Sequence, residues 1–253
     1  MSDNVVKMGN KLYKKHVVLA DVNIPFKFSI DRNRNKLIFC MNADEFADQS
    51  FQNVILDLNT ESVNIVPNIR NGFASAVDQN TGSVYLGGSD GIYLYNYQTH
   101  DVEKPPIVQG VDVFDMYFKD NLYFVDTTNL DLHVLKNNQK TIVSSVEEYG
   151  IHHCVIDGSD NLILVNPAGV YLMPKEAKSP IRLCNNIENI RGIATDIHGQ
   201  PYLIAQHGIY AIDCKNNQVT MVLPLENGYA LAFDKDNNII FSDERSVVKL
   251  IAS

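Results

Sequence analysis

The sequence lacks the features that mark several large protein classes. Its four cysteines form no CxxC pair, so neither a zinc site nor a redox motif is indicated. No apolar run approaches the roughly 18 residues of a membrane span. The motifs GxSxG, GxxxxGK[ST] and HExxH are also missing, and the sequence therefore gives no sign of an α/β-hydrolase, a P-loop nucleotide site or a zincin.

Positive charge is scarce as well. Lysine and arginine number 21 against 30 acidic residues, giving a formal net charge of −9. These charges are scattered, which disfavours nucleic acid or an anionic membrane as a partner.

Asp3, Lys7 and Gly9 interrupt the first ten residues, where a signal peptide needs an unbroken apolar run. We therefore expect no leader peptide in the chain as given.

One sequence pattern recurs along the chain. It consists of two or three small or apolar residues, an aspartate, a polar turn and a second apolar run. Its five clear copies carry the aspartates Asp31, Asp78, Asp157, Asp196 and Asp234. The first interval is 47 residues (31 to 78), the next is 79 across two units (78 to 157), and the last two are 39 (157 to 196) and 38 (196 to 234). Periods near 40 with strand-like runs are typical of propeller blades.

A sixth, shortened copy completes the series, with Lys119 in the position of the aspartate. The last copy ends after three strands, while His16–Ala20 supplies a strand without a partner. Pairing the two ends would close a ring and leave no long exposed sheet edge. The sequence therefore predicts an all-β fold, a six-bladed β-propeller formed by residues 1–253 as one domain, in which the N-terminal strand pairs with the last blade.

The repeat also predicts which residues surround the central channel, because the first strand of each blade lines the axis of a propeller. The position five residues before the repeated aspartate selects Phe26, Phe73, Phe114, His152, Arg191 and Tyr229. Aromatic faces can stack on a flat ligand and an arginine can bind its acid group. Alternatively, the aromatic rings fill the core and Arg191 pairs with an acid such as Glu188.

A second predicted ring comes from the ends of the second strands. It consists of Met41, Gly88, Asp126, Asn166, Gln206 (or Ala205) and Asp243. The polar members can bind a ligand's amines or a cation, or they can cap their own turns, as Asp and Asn often do. We expect the repeated aspartates to cap turns. His152 and His153 should point to opposite faces of a strand, so they cannot jointly chelate a metal.

Two segments resemble the ommochrome-binding protein of moth haemolymph: 71–97, containing NGFA and GGSDGIYLYNY, and 231–240, LAFDKDNNII. The similarity includes Gly110–Asp112 and Phe118–Asp120 and extends in order over most of the chain. The resemblance implies a secreted, extracellular carrier of ommatin pigments and related kynurenine-derived metabolites, with no catalysis. No ligand-binding residue is carried over from that family.

The leading interpretation is a monomeric binding protein without cofactor or metal, whose channel mouth holds a planar aromatic, acidic ligand. The four aromatic residues would stack on the ligand, Arg191 would neutralise its acid and His152 would form a hydrogen bond. One alternative is a metal-dependent lactonase or esterase of the gluconolactonase-like propeller group, for which Asp115, Asp126, Asn166 and Asp243 are the available ligands. The other is a protein-interaction propeller with a filled channel.

Overall fold

The computed structural model describes residues 5–8, 11–44 and 47–252. The expectation about a leader peptide falls partly on residues 1–4, 9 and 10, which lie outside this part. The regular secondary structure of the described residues consists of β-strands and a single 3₁₀ turn at Ser144–Val146. Its strands form six antiparallel sheets. No helix in these ranges is long and apolar enough to cross a membrane.

The strands follow the order of the repeat. The chain starts with β1 (Val5–Met8) and β2 (Lys11–Leu19). Blade 1 contains β3 (Phe26–Asp31), β4 (Lys36–Asn42), β5 (Phe51–Asp57) and β6 (Val63–Ile65). Blade 2 contains β7 (Ala74–Asp78), β8 (Ser83–Gly87), β9 (Gly91–Asn96), β10 (Asp101–Val102) and β11 (Val108–Gln109). Blade 3 contains β12 (Val113–Lys119), β13 (Asn121–Asp126), β14 (Leu132–Lys136) and β15 (Gln139–Ile142).

The second half repeats this pattern. Blade 4 contains β16 (His153–Ile156), β17 (Leu162–Asn166), β18 (Gly169–Met173) and β19 (Ile181–Cys184). Blade 5 contains β20 (Ile190–Thr195), β21 (Pro201–Ala205), β22 (Gly208–Asp213) and β23 (Gln218–Pro224). Blade 6 contains β24 (Ala230–Phe233), β25 (Ile239–Ser242) and β26 (Val247–Ala252). The innermost strands contact one another in sequence, and β24 contacts β3, which completes the ring.

Pairing between the two ends of the chain closes the ring, as the sequence predicts. β2 lies antiparallel to β26, from Tyr13 opposite Ala252 to Leu19 opposite Val247. This strand is longer than the predicted segment His16–Ala20. β1 then pairs with the outer edge of β2, making the sixth blade a five-stranded sheet in the order β1-β2-β26-β25-β24.

The repeated aspartates cap the turn between the first and second strands, which confirms their predicted structural role. All five are buried, and each accepts at least one backbone N–H from its own turn. A buried carboxylate needs such partners to offset its lost hydration. In blade 3, Lys119 replaces the aspartate and donates from Nζ to the Asp157 carbonyl and the Asp160 carboxylate of the next blade.

The apolar core lies between adjacent blades. Val77 of blade 2 packs in one cluster with Ile38 and Ile55 of blade 1, and Phe233 of blade 6 packs with Ile204 and Ile209 of blade 5. The residue immediately before the repeated aspartate therefore faces the neighbouring blade, as expected. This arrangement leaves the alternate side chains of each first strand facing the channel.

Removing residues 1–20 should strongly destabilise the fold. The deletion eliminates β2, exposes the edge of β26 and removes Val18, which is 5% exposed within the cluster that contains Leu37 and Val247. A loss of about 5 kcal/mol would lower Tm by roughly 10–20 °C in a domain of this size. Thermal unfolding followed by circular dichroism measures the change.

A shorter deletion, of residues 1–10, is the matched control because it removes β1 and keeps the β2–β26 ladder. It should cost much less stability. Equal losses of stability in the two truncated chains would show that closure by β2 does not hold the ring together.

Candidate ligand-binding site

The six residues predicted for the channel mouth all lie at or next to the start of a first strand. Phe26 begins β3, Phe114 and Arg191 are the second residues of β12 and β20, and Phe73, His152 and Tyr229 immediately precede β7, β16 and β24. All six are partly exposed. Their partial exposure is compatible with the predicted place at the channel mouth, and none of the six is among the residues that line the cavity described below.

Four of these side chains form a continuous row across blades 1 to 4. The ring centroids of Phe26 and Phe73 lie 5.3 Å apart, those of Phe73 and Phe114 lie 5.7 Å apart, and those of Phe114 and His152 lie 5.5 Å apart. Phe51 extends the row, with its centroid 5.8 Å from Phe26 and 4.9 Å from Phe73. We call these five residues the aromatic arc.

Phe51 was missed in the sequence because it does not lie on a first strand. It is the first residue of β5, a third strand, which begins with glycine in blades 2, 4 and 5. The signal that could have revealed it is this departure from the repeat, since a bulky aromatic residue stands where the other blades have Gly91, Gly169 and Gly208.

The remaining two predicted residues form a pair across blades 5 and 6. The Arg191 guanidinium lies 4.1 Å from the centroid of the Tyr229 ring. Its Nη1 donates to Asn227 Oδ1 at 2.9 Å and to the Gly228 carbonyl at 3.1 Å. Within the described residues no carboxylate forms a salt bridge with Arg191, and Glu188 is not its partner. The guanidinium is therefore held in place while its Nε and Nη2 donors remain available to a ligand.

The second predicted ring is occupied by local hydrogen bonds. Asp126 accepts from the Thr128 amide at 2.9 Å and lies 2.9 Å from His133 Nε2. Asn166 bonds to the Tyr149 carbonyl and the Ala168 amide. Gln206 accepts from the Asn189 side chain. Asp243 accepts from the Arg245 and Ser246 amides. Asp126, Asn166 and Asp243 accept amides of their own turns, which is the alternative role of turn capping, whereas Gln206 bonds to a side chain.

A buried charged cluster lies behind the aromatic arc, and its lysine was not foreseen. Lys27 Nζ donates to Asp115 Oδ1 at 2.8 Å, to His153 Nδ1 at 3.2 Å and to the His152 carbonyl at 3.4 Å. It also lies 4.5 Å from the centroid of the Phe114 ring. The cluster joins blades 1, 3 and 4 beneath the mouth, with every ammonium proton directed to an acceptor.

Local backbone irregularities lie beside this cluster. The pairing of β3 with β4 shifts between Phe26 and Ser29, and that of β12 with β13 shifts between Val113 and Asp115. Lys27 has φ = 56°, a left-handed conformation that is uncommon for residues other than glycine. Lys27 and Asp115 both lie four positions before the aspartate position, on the axis-facing side of their strands, but strand alternation does not predict which axis-facing side chains of different blades meet.

Burial and charge shift the titration of the cluster. Burial alone would raise the pKa of Asp115, but Lys27 and His153 overcome this effect and lower it. Burial, reinforced by the adjacent Lys27 ammonium, lowers the pKa of His153 to about 4. At neutral pH the cluster therefore contains one cation, one anion and a neutral imidazole that accepts a hydrogen bond from Lys27.

The channel beyond the cluster contains a cavity of about 120 Å³ lined by all six first strands. Small residues keep it open, since Ala76, Ala194 and Ala232 lie two positions before the repeated aspartate and Gly192 lies four positions before it. Within the described residues, no group of three or more His, Cys, Asp or Glu side chains is arranged to hold a metal ion.

The comparison with curated proteins gives one whole-chain match. The chain is 27% identical over 256 residues to the ommochrome-binding protein of Manduca sexta, and the alignment covers 99% of this chain and 92% of that protein. The resemblance found in short segments is therefore confirmed along almost the entire sequence. No family model matches the chain.

Solved structures confirm the propeller fold. A gluconolactonase from Xanthomonas campestris superimposes with a TM-score of 0.76 at 8% identity, covering 98% of this chain and 91% of the other. A calcium-binding regucalcin from Agrobacterium tumefaciens has a TM-score of 0.70 at 9% identity, covering 95% of this chain and 94% of the other. Identities this low show a shared architecture and carry no further information about function.

Acidification should destabilise the protein through His153. Its folded pKa of about 4 lies below the unfolded value of about 6.5, so the unfolded chain takes up the proton first as the pH falls. The contribution of His153 is fully present above pH 6.5 and is lost between pH 6.5 and 4. Complete loss amounts to about 3 kcal/mol. Urea unfolding at a series of pH values measures it.

His153→Gln should have a flatter pH profile because glutamine does not titrate but keeps an acceptor for Lys27. His207→Gln, at an exposed position, is the control and should retain the wild-type slope. If His153→Gln and the wild type lose equal stability between pH 6.5 and 4, His153 does not titrate as the structure indicates.

Proposed function

We propose that this protein is a non-catalytic carrier that binds a planar aromatic, acidic small molecule at the channel mouth. The ligand class is an ommochrome pigment of the ommatin type or a kynurenine-derived precursor. The observation that carries the proposal is the partly exposed aromatic arc on blades 1 to 4, together with Arg191, which stacks on Tyr229 across blades 5 and 6. The whole-chain similarity to an ommochrome-binding protein supports the ligand class.

The chemistry of the mouth suits such a ligand. Aromatic pairs contribute about 0.5–1.5 kcal/mol beyond area burial, and several rings can contact a fused-ring pigment at once. Arg191 has free donors for a carboxylate, and charge-assisted hydrogen bonds contribute about 1.5–3 kcal/mol. Together these contributions are compatible with micromolar or tighter binding. His152, at the end of the arc, supplies a polar group beside the stacked rings.

The arrangement of charge favours binding over metal-dependent lactone hydrolysis. Asp115 is the one candidate metal ligand that faces the channel. The Lys27 ammonium neutralises it at Oδ1, and its Oδ2 accepts a hydrogen bond from the Cys154 amide. The other candidates, Asp126, Asn166 and Asp243, bond to groups at their own end of the blade. A metal-dependent hydrolase would need a nucleophilic water near an open cation site.

Secretion into haemolymph and a monomeric state are part of the proposed carrier role.

The first experiment is to isolate the protein from a pigment-supplied host and record its absorption spectrum. A visible chromophore that copurifies, or a saturable rise in Tm with xanthommatin or 3-hydroxykynurenine, is the expected result, because a ligand that binds only the folded state stabilises it. A colourless protein that responds to neither compound, but that turns over a lactone in the presence of calcium, would contradict the carrier proposal.

Arg191→Leu should weaken the binding of an acidic ligand about tenfold or more and leave a neutral ester analogue nearly unaffected. The reason is the loss of a charge-assisted hydrogen bond. Fluorescence or calorimetric titration measures both affinities. Arg182→Leu, on the exposed face of β19, is the matched control. An equal loss for both ligands would show that Arg191 does not recognise the acid.

Phe73→Leu should weaken binding of the pigment and its neutral analogue alike, by roughly two- to tenfold. Phe73 contacts three other rings of the aromatic arc, and leucine retains apolar volume but loses the aromatic face. A parallel measurement of Tm separates this effect from a loss of folding. Unchanged affinity in the folded variant would argue against stacking on the arc.

A further inference from the structure

The opposite end of the channel holds an arginine that spans three blades. Arg32 follows β3 directly, six residues and about 20 Å along the strand from Phe26 at the mouth. Its Nε donates to the Phe233 carbonyl of blade 6 at 3.2 Å, and its Nη2 donates to the Thr195 carbonyl of blade 5 at 3.1 Å. The guanidinium therefore lies across the channel, with its position fixed by backbone groups of two other blades.

This guanidinium has no anionic partner among the described residues. No carboxylate forms an ion pair with it within 4 Å, whereas its neighbour Arg34 contacts Asp31 at 2.8 Å. The nearest acids are committed elsewhere: Asp234 binds Lys249 at 2.6 Å, and Asp196 caps its turn through the His198 and Gln200 amides. Burial lowers the pKa of Arg32 against the opposing effect of these acids.

The charges that line the cavity leave Arg32 uncompensated. Lys27, Arg32 and Asp115 are the charged side chains of the lining, and Lys27 and Asp115 neutralise each other at 2.8 Å. The cavity therefore carries one net positive charge inside a chain whose formal net charge is −9. Partly buried cations in proteins are normally paired because an isolated charge loses hydration without recompense.

Polar groups for an anion are present beside Arg32. Arg32 Nη1 has no acceptor in the described part of the chain. The Thr195 carbonyl binds Arg32 Nη2, and the Thr195 hydroxyl lies 3.2 Å from the Tyr117 hydroxyl, which donates to the Ile156 carbonyl at 3.0 Å. The cavity of about 120 Å³ is about ten times the ~10–15 Å³ that one water needs on this measure. It can therefore hold a compact ion of a few heavy atoms.

We propose that the Arg32 end of the channel is a second binding site, specific for a compact monoanion of the size of acetate. The planar guanidinium provides the charge and the directed donors that suit a carboxylate. This site is separate from the aromatic mouth and does not depend on the identity of the ligand bound there.

Thermal unfolding in increasing sodium acetate tests the site, with ionic strength held constant by sodium gluconate, a bulkier anion. The wild type should show a saturable rise in Tm of a few degrees. Arg32→Met should abolish the rise, and Arg32→Lys should retain part of it, because lysine keeps the charge but not the planar fork of donors. Arg182→Met, an exposed arginine, and Arg191→Leu, at the mouth, should respond as the wild type does.

Two results would overturn the proposal. One is a wild-type Tm that does not depend on acetate. The other is an acetate response that survives in Arg32→Met or disappears in Arg191→Leu, which would place the anion at the mouth. The proposed pigment site fails separately, because it predicts that Arg191→Leu loses the acidic pigment while Arg32→Met binds it normally.

Discussion

The ladder between β2 and β26 is the constraint on which the rest of the structure depends. A six-bladed ring has inner strands that contact one another only if the first and last blades meet, and here β24 contacts β3 because the sixth sheet is completed by the N-terminal strand. Closure brings segments more than 200 residues apart into one sheet and removes an exposed edge from the ring. Once the ring is closed, its first strands form a channel whose two ends are chemically distinct.

Close packing between blades and open space along the axis are both consequences of strand alternation. Side chains that face a neighbouring blade, such as Val77 and Phe233, are large and buried. Those that face the axis are small in blades 2, 5 and 6, as at Ala76, Ala194 and Ala232. Larger axis-facing residues occur in blades 1, 3 and 4, where Lys27, Asp115 and His153 meet. The channel is therefore neither filled nor empty, and it is divided by one buried charged cluster.

This division separates two kinds of chemistry. Above the cluster, partly exposed aromatic rings and a stacked arginine form a surface suited to a flat acidic molecule. Below it, polar hydroxyls lie beside Arg32, which has no carboxylate partner among the described residues, in a small cavity. Lys27 Nζ lies 4.5 Å from the Phe114 ring centroid, so the cluster also contacts the aromatic arc. A protein of strongly negative net charge thus concentrates cationic groups where an anion could enter.

The sequence alone determined the number of blades, the turn-capping aspartates, the closure of the ring and the residues at the start of each first strand. These are periodic features, and a repeat transmits them from one blade to the next. Only the tertiary structure decided that Phe51 joins the aromatic arc, that Lys27 pairs with Asp115 and that Arg32 reaches two other blades. The first depends on a missing glycine at the start of a third strand, and the other two depend on contacts across the axis. Period and spacing carry no information about which side chains meet there, because the meeting point lies between blades that are far apart in sequence.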